Sequence, residues 1–96
     1  MAKYRKKPVI VEAFQMTKER RKKVGDWPMW LQQAWQKGPC EGGIWSRYDD
    51  PEERFACGTL EGSLKIDWGD WIIKGVKGEI YPCKDEIFRE TYETVE

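Results

Sequence analysis

The residues best able to do chemistry in this chain are cations placed beside rings. Tyr4-Arg5-Lys6-Lys7 sets a phenol ahead of three basic side chains, just before an apolar run. A guanidinium grips phosphate through paired N–H bonds, and a tyrosine ring stacks on a base. The same four residues also suit an ordinary solvated terminus. Trp68 and Trp71 flank a Gly69-Asp70 turn, and alternation along the strands turns both toward a cleft shared with Tyr81. Lys84 opens a helix nearby, and a helix start favours anions. Core filling is the competing use for these rings. Asp70, directly after a turn glycine, reads as an aspartate that fixes its own backbone. Glu12 is the misfit, standing between Ile10 and Phe14 on one side of a largely apolar strand. A carboxylate facing the core there needs a partner or a raised pKa. An ion pair with a nearby Lys or Arg, or a place at the sheet rim, is the favoured reading. Tyr4, Arg5, Lys7, Glu12, Trp71, Tyr81 and Lys84 are thus the candidate ligand contacts.

The usual enzyme arrangements fail one by one. The chain has no histidine, so neither a Ser-His-Asp nor a Cys-His set can be built. Its glycines form neither a phosphate-binding Walker loop nor a dinucleotide fingerprint. Asp49-Asp50 and Glu52-Glu53 pair carboxylates, but within an acidic run that reads as a solvated face. Cys40, Cys57 and Cys83 are odd in number, lack a C-x-x-C pair and follow no signal-peptide pattern. They are expected as reduced thiols in a cytosolic protein, with no metal, cofactor or internal disulfide required. No apolar run approaches the roughly 18–20 residues of a membrane span. Met1-Ala2-Lys3 lacks the glycine that myristoylation needs.

These side chains must be positioned by one domain, residues 1–96. Pro8 to Gln15 (PVIVEAFQ) predicts a buried strand. Thr17 to Gly25 is either a loop or a solvated helical turn. A helix is expected to start at Trp27–Met29, with Asp26 or Trp27 at its cap and Pro28 in its first turn. It should end by Gly38. Trp27, Trp30, Leu31, Ala34 and Trp35 fall on one helical face and should pack against the sheet. A short strand is expected at Ile44 to Arg47. Arg54 to Leu60 and Ser63 to Trp68 should form a hairpin turning at Glu61-Gly62. Trp71 to Val76 and Glu79 to Cys83 should follow as strands, with Pro82 marking an edge or an exit. Lys84 to Thr91 then makes a short helix whose Ile87 and Phe88 face the core with Tyr92. The expected fold is α+β: a curled antiparallel sheet of about five strands, of a kind that can close as a barrel. One Trp-rich helix packs on it, and a short helix ends the chain.

The charge is balanced overall but not along the chain. Residues 1–25 hold nine Lys and Arg against two Glu, and the remaining residues carry the opposite surplus. Such a dipolar chain can draw an anion to one end without being a general nucleic-acid binder, or its halves can simply attract each other.

Two segments, MAKYRKKPVIVEAFQ and TLEGSLKIDWGDWIIKGVKGEIYPCKDEIFRETYE, resemble a family of small phage and prophage proteins. That family opens with a Lys-Tyr-Arg-Lys-Lys-Pro segment and a strand. It closes with Gly-Asp-Trp-Ile-Ile, Gly-Glu, Tyr-Pro-Cys-Lys and an Ile-Phe helix. The resemblance covers about half the chain, leaves residues 16–53 aside, and brings no catalytic residue with it. It implies a phage context and the cytoplasm of a bacterial host.

In that context the first expectation is a non-catalytic counter-defence protein. It would sequester an anionic, nucleotide-derived signal, such as a cyclic nucleotide or an ADP-ribose derivative, as a monomer or a homo-oligomer. The alternative is a protein–protein inhibitor or accessory factor acting on a host complex. Six tryptophans in 96 residues favour the latter, since Trp, Tyr and Arg concentrate at binding hot spots. Enzyme and virion component are the remaining classes.

Overall fold

In a computed structural model, which describes residues 2–4, 8–38 and 41–95, the strands form two small antiparallel sheets. The first has the order β1-β5-β6, from Glu12–Gln15 (β1), Trp71–Lys74 (β5) and Ile80–Cys83 (β6). The second has the order β2-β3-β4, from Ile44–Ser46 (β2), Phe55–Thr59 (β3) and Gly62–Ile66 (β4). The α+β class holds. The single curled sheet of about five strands does not, and the six described strands close no barrel. The break comes after Ile66. There Gly69, at φ 93°, turns the chain out of β4 and into the other sheet. A positive φ is open to glycine without steric penalty.

The main core lies between the two sheets and the Trp-rich helix. Phe14, Ile72 and Ile80 enter from the first sheet, and Ile44, Phe55, Cys57 and Ile66 from the second. Helix α2, Met29–Trp35, adds Leu31 and Ala34. Trp27, Trp35 and Phe55 meet edge to face with centroids 5.1–6.0 Å apart, the geometry their ring quadrupoles favour. Pro28 itself takes the cap position of α2, in place of Asp26 or Trp27, because its fixed φ suits the entry to a helix. Trp30 is only half-buried, although it was expected to pack fully against the sheet.

The basic stretch after β1 is ordered. Helix α1, Lys18–Arg21, is capped by the Thr17 hydroxyl, and a 3-10 turn follows at Val24–Asp26. Arg21 lies 4.6 Å over the Phe55 ring and 5.6 Å over the Trp35 ring, and it donates to the Glu53 carbonyl. Arg20 lies over Phe14. These two guanidinium groups close the core; Lys22 and Lys23 are exposed.

Side chains alternate across a strand, so β5 and β6 have a second face. Ile73 is buried there, and helix α3, Asp85–Thr91, packs on the same face at Trp71. Phe88 stacks on Trp71 with centroids 4.1 Å apart and planes 9° apart, and Tyr92 stacks in turn on Phe88. Ile87, expected to face the core, is exposed, because Phe88 takes the inward position. Pro82 lies on β6, an edge strand of its sheet, where its missing N–H is tolerated.

Residues 8–11 depart most from expectation. Ladder pairing begins at Glu12, opposite Lys74, and Val9 and Ile10 are 48% and 79% exposed. Strand β5 ends at Lys74, so residues 8–11 have no strand beside them among the described residues.

Candidate functional site

Two concavities lie at opposite ends of β5. The first, of about 390 Å³, is open and sits between the β4–β5 turn and the start of α3. Asp67, Asp70, Asp85 and Glu86 line it around one cation, Lys84. Lys84 Nζ lies 3.0 Å from Asp67 and 3.2 Å from Asp70, so its charge is already answered. Asp70 is buried, and its Oδ2 accepts the Asp67 amide at 2.9 Å, as expected of an aspartate that fixes its own turn. Lys84 holds the Asp67 carboxyl below its ordinary pKa, and Asp67 and Asp70 raise the Lys84 ammonium in return. Asp85 accepts from Trp71 Nε1 at 2.8 Å and from Arg89 at 3.0 Å, and both hold its carboxyl low. A general acid or base works best with a pKa near the operating pH. Asp67 and Asp85 are driven away from that range.

The second concavity, about 150 Å³ and more enclosed, lies between α2 and the β5–β6 turn. Trp30, Gln33, Ala34 and Lys37 line it from α2 and the residues just beyond. Their i, i+3, i+4, i+7 spacing puts them on one helical side. Ala34 and Ile80 make its buried floor, and Lys74 and Gly78 close the far wall. Gly43 lets the chain pass tightly behind it: a Cβ there would collide with the Lys37 carbonyl. No carboxylate lines this cleft. Lys37 forms no ion pair among the described residues. Lys74 makes a long, exposed one with Glu12, 3.5 Å. The cleft therefore offers an indole, an amide and two ammonium groups.

The residues expected to form one site are dispersed. Arg5 and Lys7 lie outside the described residues, and Tyr4 is almost fully exposed. Glu12 pairs with Lys74 at an exposed position where the sheet opens, the ion pair favoured for it over a carboxylate facing the core. Trp71 is stacked beneath Phe88, whereas Trp68 packs on the main core, so the two indoles share no cleft with Tyr81. Tyr81 is half-buried on the α3 face, and burial, with the Tyr92 hydroxyl second, pushes its phenol up to about 12. Lys84 is held by two aspartates.

The acidic run from Asp49 is not uniformly solvated either. Asp50 is buried and accepts from the Glu52 and Arg54 amides and from the Arg54 guanidinium. That guanidinium brings its carboxyl down to about 2. Of the three cysteines, Cys40 lies outside the described residues, and Cys57 and Cys83 are free thiols. Burial pushes the Cys57 thiol up to about 11, which leaves little thiolate to react.

Sequence reasoning assigned Trp30 to core packing and passed over Gln33, Lys37 and Lys74. Polar Gln33 and Lys37 beside the indole stripe were the available signal. The approach of Lys74 depends on the β1–β5 register and on the docking of α2, neither of which periodicity encodes. Compared with models of protein families, with curated proteins and with solved structures, the chain matches none.

Proposed function

We propose that this chain is a non-catalytic binding protein that holds an anionic, nucleotide-derived small molecule in the cleft between α2 and the β5–β6 turn. The observation that carries this reading is the lining of that cleft: the Trp30 ring beside Lys37 and Lys74, with no carboxylate among them. An indole offers a face to a base, and two ammonium groups suit a phosphate. Among the described residues no carboxylate, histidine or thiol lines this cleft, so the reading is retention rather than turnover. At about 150 Å³ the cleft takes one part of such a ligand and leaves the rest at the surface. The resemblance of both chain ends to small phage proteins supports a counter-defence role, in which removing a host signal suffices.

Exposed Tyr48 and Leu60 favour the second reading, an inhibitor of a host protein. Titration calorimetry and native mass spectrometry with cyclic oligonucleotides and ADP-ribose-type compounds separate the two. Retention of one compound, released intact on heating and lost in Trp30→Ala, supports the first. A cleaved product shows an enzyme. A panel with no binder rejects the first reading in favour of the second.

A further inference from the structure

The cleft between α2 and the β5–β6 turn is rich in donors and poor in acceptors. Trp30 offers an indole N–H, Gln33 a carboxamide, and Lys37 and Lys74 an ammonium each. The Gln33 oxygen is the one acceptor among these side chains. Comparable groups elsewhere are spent. The Trp27 indole donates to the Arg20 carbonyl, the Trp71 indole to Asp85, and the Gln32 amide to the Gly25 and Trp27 carbonyls. Trp30 and Gln33 make no side-chain hydrogen bond among the described residues.

Their order along the chain separates two kinds of contact. Trp30 and Gln33, three residues apart, share one side of the helix with Ala34, which forms the apolar floor with Ile80. The helical turn continues to Lys37, whose N–H donates to the Ala34 carbonyl at 3.1 Å. At helical rise Lys37 lies roughly 10 Å beyond Trp30 along the axis. Lys74 stands on the far wall. The ring and the amide are thus neighbours at one end, and the ammonium groups lie apart from them.

We infer that the base held in this cleft is adenine and that Gln33 is the residue that selects it. This rests on the reading of the cleft as a nucleotide site and names the class of nucleotide. With the base stacked on Trp30, its edge faces the Gln33 carboxamide. Adenine carries its N6 amine beside a ring acceptor, and the amide answers the two together with its own acceptor and donor. Guanine carries N1–H and N2–H2 side by side, and one side-chain oxygen is there to receive them. A donor buried without a partner costs more than an ordinary hydrogen bond gains. Guanine's other edge, O6 and N7, asks for two donors. Lys37 and Lys74 meet it only by leaving the phosphate. A pyrimidine covers less of the indole, and stacking strength sets it below a purine.

The test is calorimetry of the full chain with ADP, GDP and UDP. Wild type should prefer ADP over GDP at least about tenfold, the scale of one polar group left unpaired. Gln33→Ala should bring that ratio to within about threefold of unity. Gln33→Glu supplies two acceptors and should turn the preference to GDP. Its charge lowers affinity for every phosphate, so the ratio is the readout. Gln33 is exposed, so melting should match wild type in both variants. Equal binding of ADP and GDP overturns the assignment of adenine and leaves the anion site standing. So does a wild-type preference for GDP or UDP, or an unchanged ratio in Gln33→Glu. Binding of none of the three overturns it as well. The wider reading of the cleft falls only if cyclic oligonucleotides and ADP-ribose-type compounds also go unbound.

Discussion

The two ends of β5 hold lysines in opposite ways. At its start, Lys84 is surrounded by carboxylates, and every charge serves the turn and the helix it joins. At its end, Lys37 and Lys74 face a cleft without a lining carboxylate, and the one nearby pair, with Glu12, is long and exposed. The larger concavity is thus a structural charge network, whereas the smaller one has unspent binding capacity. Volume ranks the larger first, whereas free charge ranks the smaller first. What separates the two is whether the polar groups are already satisfied.

The largest effect that could break this comparison is on stability at the first end. Asp70→Ala strands the Asp67 amide and removes a partner of Lys84, and it should cost about 2–4 kcal/mol in urea unfolding. A loss below about 0.5 kcal/mol, the scale of an ordinary surface change, would mean that this network holds nothing together. Next comes affinity at the second end. Lys37→Ala combined with Lys74→Ala should weaken binding of a retained nucleotide about 10–100-fold in calorimetry, the scale of charged hydrogen bonds. Lys84→Ala should leave affinity within about twofold, because a paired ammonium has little attraction to spare. Equal losses in both variants would erase the distinction between the clefts.

Glu12→Gln sharpens the comparison with a smaller effect of opposite sign. It frees Lys74 from its only carboxylate among the described residues. An exposed pair is worth about 0–1 kcal/mol, so affinity for the same anion should rise by up to about fivefold. Weaker binding would place Glu12 in contact with the ligand. Asp50 gives a test by pH rather than by ligand. Its folded carboxyl is held near 2 against an ordinary 3.8. Its contribution is therefore present in full above 3.8 and is lost as pH falls through about 2. Urea unfolding of wild type and Asp50→Asn should show a stability difference that is constant above about pH 5 and shrinks toward pH 2.

Local chemistry was legible where one segment decides its own structure. Pro28, the indole spacing from Trp27 to Trp35 and the Gly38 stop defined α2 to within two residues, because a helix satisfies its backbone internally. The hairpin of β3 and β4 was legible for a similar reason, although its turn lies at Leu60-Glu61, one residue earlier than expected. Asp70 could be read as a turn-fixing aspartate because its partner, Asp67 N, is three residues away.

What depends on a distant neighbour was not legible. Val9 and Ile10 have the composition of a buried strand, yet burial needs a second strand alongside, and β5 stops at Lys74. Asp50 looks like its solvated neighbours until the turn back to Arg54 encloses it. Lys84 and Lys74 are the same residue type ten positions apart. Composition and periodicity treat them alike, because an ammonium's role is set by the charges that surround it in space. Only the packing of Asp67 and Asp70 around one, and of α2 beside the other, made Lys84 a structural cation and Lys74 a candidate ligand contact.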